Sequence, residues 1–222
     1  MTVATRPRSS RKQSISLDAV SWSQYERLGR LFQDRPLRIT YDDGRLEIMT
    51  ASATHERHSR KIALLILVLV EELGMQIAGF GSMTFKQKPA RKGLEPDECF
   101  WIQNAAAVRS KNEIDLATDP PPDLVLEVEV NRSTLDRMGI YVALGVPEVW
   151  RCTTTQARVF HLVDGEYVEE SRSVAFPSLH PQAMLSFVRR YPDLDDIGLM
   201  RQFRTWVRKQ IANGWRDGGS RK

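Results

Sequence analysis

The sequence predicts a mixed α/β domain built around one sheet, and three observations predict it. Strand-like alternation and helix-like spacings of three and four succeed each other along the chain. The composition is that of an ordinary globular protein, 41% hydrophobic and 27% charged, and 222 residues can bury a sizeable core. The clearest strand, residues 124–130, follows the turn Asp119-Pro120-Pro121-Pro122 and precedes a helical segment closed by Gly145.

The elements follow in order. Residues 1–16 are polar and Arg/Ser-rich and read as a disordered basic arm. Ser21-Trp22-Ser23-Gln24 fits a capping box, with Trp22, Tyr25 and Leu28 on one helix face. Residues 38–41 and 45–49 alternate around Asp42-Asp43-Gly44, which predicts a tight hairpin. A long helix is expected over 54–73, stopped by Gly74; its second half is apolar nearly all round, so it belongs between layers. Short strands are expected over 76–80, 83–86 and 98–102, and a short helix over 133–144 with Pro147 beyond it. Strands over 148–152 and 158–163 complete the sheet. The end of the chain is helical, with Leu194, Ile197, Met200, Phe203, Val207 and Ile211 at spacings of three and four. The expected organisation is an arm over 1–16, a domain over 17–192, and a C-terminal amphipathic helix with basic tail over 193–222.

Several function classes are set aside by composition. The longest apolar run, residues 62–70, is about half of what spans a bilayer, and no signal-peptide pattern opens the chain. The expected compartment is the cytoplasm. Cys99 and Cys152 form no CxxC pair and have no His at ligand spacing, so they read as core thiols. No GxxxxGK, GxGxxG or nucleophile-elbow serine is present. The net charge of +4 is unevenly spread: residues 1–12 carry +4 and residues 201–222 carry +6, which leaves the body at −6. Basic ends of this kind contact phosphate or merely keep a chain soluble.

The most informative segment is Leu124-Val125-Leu126-Glu127-Val128-Glu129-Val130. Two glutamates interrupt an apolar strand at i and i+2, so Glu127 and Glu129 share one face of a sheet otherwise built for burial. Two such carboxylates repel and are costly to desolvate unless something neutralises them. Asp97, set by Pro96 at the start of the apolar run 99–102, can reach across from a neighbouring strand. Three such acids make a hard-oxygen site for Mg²⁺ or Mn²⁺, and such an ion supplies what phosphodiester hydrolysis needs. The alternative is an exposed sheet face on which both glutamates pair with Arg or Lys.

The run Leu94-Glu95-Pro96-Asp97-Glu98, the strand Pro122-Asp123-Leu124-Val125-Leu126-Glu127-Val128-Glu129-Val130 and the stretch from Ile140 to Trp150 resemble the Uma-type family of restriction endonucleases. That bacterial family lies in the PD-(D/E)XK nuclease superfamily. Leu46-Glu47-Ile48-Met49 and His55-Glu56 are similar to the family's opening. The resemblance implies a restriction-endonuclease-like fold, a central mixed sheet flanked by helices with metal ligands on adjacent strands. It makes Asp97 the acid of the PD motif and Glu127 that of (D/E)XK. Position 129, where the motif lysine belongs, holds Glu129, and the family's basic residue in the following helix corresponds to Arg137. Arg137 can neutralise phosphate charge but cannot serve as a base, a task left to Glu129 or to the metal-bound solvent. Glu56 resembles the extra helix glutamate of many superfamily nucleases; a helix-dipole role is the alternative.

These readings give a Mg²⁺-dependent DNA endonuclease with Asp97, Glu127 and Glu129 as metal ligands, and Arg137 and Glu56 as further catalytic candidates. The other hypotheses are an inactive nuclease-fold module that binds nucleic acid or regulates, and an interaction protein assembled through the C-terminal helix. His55 and His58 read as surface polar residues near a helix start, with a metal-ligand role as the alternative, and Tyr141 reads as a packing residue one turn after Arg137, with orienting that arginine as the alternative. The C-terminal apolar stripe with Trp206 is a candidate homodimer contact.

Overall fold

The computed structural model describes residues 14–50, 52–129 and 133–215. The chain opens with β1 (Ser14–Leu17), α1 (Trp22–Phe32) and the hairpin β2 (Leu37–Asp42) and β3 (Arg45–Thr50). The long helix α2 (Ala53–Leu73) leads to β4 (Ala78–Gly79), β5 (Phe85–Gln87), β6 (Lys92–Leu94), β7 (Glu98–Trp101) and α3 (Ala105–Val108). Next come β8 (Leu124–Val128), α4 (Arg137–Leu144), β9 (Glu148–Cys152), β10 (Ala157–Val163) and β11 (Glu166–Glu170). Helices α5 (Pro181–Arg190) and α6 (Asp196–Ala212) close the described chain.

The mixed α/β class is as expected, but the strands form two sheets rather than one. The first runs β1-β3-β2-β6-β5 and the second β11-β10-β9-β8-β7-β4. The hairpin does not join the central sheet because the outer edge of β2 is taken by β6, with Tyr41 opposite Gly93. In the second sheet β8 and β9 are parallel and are bridged by α4, as a parallel pair requires.

Strand β8 is buried on both faces, and the pleat divides its side chains between two cores. Leu124, Leu126 and Val128 pack with α2 residues such as Ile62, Leu65 and Leu69, over which α5 and α6 lie. Val125 packs on the other side with Trp101, Ile140 and Tyr141. Glu127 has the parity of Val125 and so emerges on the α4 side. Local signals work as read at several ends: Ser21 Oγ accepts from the Gln24 amide while Gln24 Oε1 accepts from the Ser21 amide. Gly74 and Gly145 end α2 and α4 in left-handed conformation, with φ of 67° and 70°.

Three expectations change. Residues 14–16 are not part of an arm but of β1, which pairs with β3 from Ser14 opposite Met49 to Leu17 opposite Leu46. The rest of the arm, Val130 and the basic tail from residue 216 lie outside the described residues. The C-terminal stripe is largely internal: Phe203 and Val207 are fully buried in the core shared with α2, and only Ile197 among the six is well exposed. It therefore offers little surface for a second copy. Strands β6 and β11 and helices α3 and α5 were not foreseen, being short or lacking a clean period. No helix among the described residues is long and apolar enough to cross a membrane.

Candidate active site

Strand β7 lies antiparallel to β8 with Glu98 opposite Leu126, so the same register brings Asp97 opposite Glu127 where the two strands end. Both carboxylates are buried, at 5% and 8% exposure. Asp97 Oδ2 accepts from the Val128 amide at 2.6 Å and lies 2.9 Å from His55 Nε2. Its Oδ1 pairs with Arg38 Nη1. Burial works against this charge, but His55, Arg38 and the Val128 amide together hold the Asp97 carboxyl below its ordinary value.

Glu127 has a different surround. Its Oε1 accepts from Arg137 Nε at 3.2 Å, from Arg137 Nη2, and from the Tyr141 hydroxyl. No described residue donates to its Oε2. Burial, opposed by Arg137 and reinforced by the charge on Asp97, keeps the Glu127 carboxyl above its ordinary value. Burial and the Glu127 charge push the Tyr141 hydroxyl well up, so it stays a donor. Arg137 also donates to Thr40 Oγ1 at 2.7 Å and to the Glu95 carbonyl at 2.8 Å. Its guanidinium is thus fixed between the two sheets, and among the described residues one N–H on Nη1 of its five finds no acceptor.

Glu129 leaves β8 on the same side as Glu127 and takes Arg151 Nε at 2.6 Å on Oε1. Arg151 is the β9 residue that follows Trp150, and the parallel register sets it beside Glu127. Glu56 stands in the first turn of α2, where Ser52 caps the helix by accepting from the His55 amide at 3.2 Å. The Glu56 side chain is half exposed, and its Oε1 accepts from Arg38 Nη2 at 2.9 Å. The alternative weighed for Glu127 and Glu129, pairing with basic residues, therefore holds as chemistry. It does not hold as exposure, since Glu127 is buried.

Asp97, Glu127 and Glu129 line one cavity of about 250 Å³ together with Arg38, Arg137 and Arg151. Glu56 is not part of that lining and borders a neighbouring cavity, joined to the first through Arg38. No group of three His, Cys, Asp or Glu among the described residues forms a ready metal cage. A magnesium-type ion keeps several waters and uses one or two carboxylates plus substrate phosphate. Asp97 and Glu127 are the buried hard-oxygen donors that would hold one, and no described residue donates to Glu127 Oε2.

Three site residues were not foreseen. His55 is buried beside Asp97, not on the surface. Tyr141 reaches Glu127 as well as packing. Arg38 was missed because a cation in an alternating hairpin looks solvated; its one signal is the apolar company of Ile39 and Tyr41. His58 is half-buried, and burial pushes its imidazole below the ordinary value. His180 caps α5 by accepting from the Gln182 amide, and His161 faces Glu148.

The family model described as "Uma2: Putative restriction endonuclease" matches residues 22–190. Among solved structures, the chain is similar to one described as "a putative nuclease belonging to DUF820 from Anabaena variabilis ATCC 29413", at 14% identity and a TM-score of 0.45, covering 66% of this chain and 90% of that one. No curated protein matches significantly.

Proposed function

The chain belongs to the Uma2 family, whose model is described as "Putative restriction endonuclease", and from that premise we propose that it is a Mg²⁺- or Mn²⁺-dependent endonuclease that hydrolyses phosphodiester bonds of DNA. One observation carries the reading: two buried carboxylates, Asp97 and Glu127, stand opposite each other at the ends of adjacent strands and open into one arginine-lined cavity.

Asp97 and Glu127 would hold the ion, with Glu129 beside them. A bound divalent ion polarises the phosphoryl oxygen, acidifies an attacking water and stabilises the leaving oxygen. The residues supply the rest. Arg137 orients Glu127 and opposes the burial that raises its carboxyl, and among the described residues one Nη1 N–H is left for a phosphate oxygen. Tyr141 donates to Oε1 of Glu127, and no described residue donates to Oε2. Glu129, paired with Arg151, is the candidate acceptor for a proton from water, a task no arginine can perform.

A binding-only nuclease-fold module is the second reading. The observation behind it is that both Asp97 oxygens already have protein partners and that Glu129 occupies the lysine position. Nicking of supercoiled plasmid with Mg²⁺, Mn²⁺ or EDTA, for the parent chain and for Asp97→Ala and Glu127→Ala, separates the two. The expected outcome is metal-dependent nicking by the parent, lowered at least a hundredfold in each variant. Plasmid retention without nicking or metal binding would favour the binding module.

A further inference from the structure

Arg38 bridges two carboxylates that come from separate elements. Its Nη1 donates to Asp97 Oδ1 and to the Pro96 carbonyl at 2.8 Å, and its Nη2 donates to Glu56 Oε1 at 2.9 Å. The side chain is only 9% exposed. Its root is held in the middle of the first sheet, where Arg38 pairs with Met49 across the β2–β3 ladder. A positive charge lodged between an aspartate at the mouth of a strand and a glutamate in a helix's first turn takes the place a second divalent ion would occupy there. It offsets part of their repulsion and fixes their separation.

Arg137, in the same cavity, behaves differently. It meets one carboxylate, on one oxygen, and no described residue donates to Glu127 Oε2. One side of Asp97 thus faces a carboxylate with an open oxygen, while the other side faces a built-in cation. Adding a metal ion on the Glu56 side would set a divalent charge against the Arg38 guanidinium, which is 9% exposed and already held by both acids.

We propose that Arg38 stands in for a second metal ion, so that the site takes one divalent cation per chain, between Asp97 and Glu127, and Glu56 serves to hold Arg38 rather than to ligate metal. This rests on the metal-dependent reading of the site and sets its stoichiometry.

Mn²⁺ titration of the full chain, followed by calorimetry and by the electron paramagnetic resonance signal of free Mn²⁺, tests it. The parent should bind one ion. Arg38→Met, which keeps an unbranched chain and removes the charge, should bind two, and adding Glu56→Gln to it should return the count to one. Glu56→Gln alone should leave Mn²⁺ affinity within about twofold of the parent, a measurement that stands even where Arg38→Met does not fold. Two ions in the parent, or a tenfold loss of affinity in Glu56→Gln, would overturn the role of Arg38 while leaving metal dependence intact. A folded Arg38→Met that still binds one ion would do the same. No Mn²⁺ bound by the parent would remove both readings together.

Discussion

Glu127 shows how one side chain can be tuned by two neighbours on a single other element. The Tyr141 hydroxyl and the Arg137 guanidinium converge on the same oxygen, one from the middle and one from the start of α4. They sit four residues apart, one helical turn, so a single helix delivers both donors to one point. Tyr141→Phe removes the hydroxyl and keeps the ring. The expected cost is about 1.5–3 kcal/mol of stability in urea denaturation, the range for a hydrogen bond to a charged group. Plasmid nicking by that variant should fall without being abolished, because Arg137 still holds Glu127. A nicking rate equal to the parent's would show that the hydroxyl serves packing alone.

At the scale of elements, the pairing of α2 with α6 ties the end of the chain to its centre. Leu199, Phe203 and Val207 bury one face of α6, and the rim of the contact is ionic: Glu72 meets Arg208 Nε at 2.7 Å and Arg204 Nε at 3.1 Å. The hydrogen bond from Arg208, opposed by modest burial and aided by both arginine charges, holds the Glu72 carboxyl below its ordinary value of 4.5. A carboxyl whose folded value is lowered stabilises the fold at pH above the unfolded value, and the contribution is lost as pH falls through the lowered one. Glu72→Gln should therefore be less stable than the parent by about 0.5–1 kcal/mol at pH 7. The difference should shrink below pH 4.5 and vanish in more acidic buffer, as read by thermal denaturation across pH. A gap that persists in acid would assign the effect to packing.

Across the whole molecule, the junction of the two sheets is polar, and the candidate site is that junction. Arg38 reaches from β2 to Asp97 beside β7, Arg137 joins α4 to Thr40 on β2, and Glu47 on β3 accepts from the Thr134 amide at 3.0 Å. Anything that binds there stabilises the contact between the sheets as well as the site. Saturating Mg²⁺, at about a hundred times its dissociation constant, should add about 2.7 kcal/mol to the folded state. That corresponds to a rise in Tm of about 5–10 °C for a chain of this size, reversed by EDTA and absent in Asp97→Ala. Differential scanning calorimetry reads it directly, and an unchanged Tm in Mg²⁺ would argue against an ion at the junction.

The sequence by itself determined the elements with strong local signals and the identity of the acids. The capping box at Ser21, the glycine stops at Gly74 and Gly145, and the two glutamates in an apolar strand are all properties of neighbours in the chain. Only the tertiary structure decided which charge answers which. Arg38 and Asp97 are 59 positions apart, and Thr40 and Arg137 are 97 apart, so no local pattern couples them. The same holds for the stripe on α6: its spacing reveals an apolar face, but the core of α2 selects the surface that covers it. Local periodicity specifies which way a side chain points relative to its own backbone. What it meets there is set by strand pairing and helix packing over the whole chain, and that is where Arg38, His55 and Tyr141 acquire their place around the carboxylates.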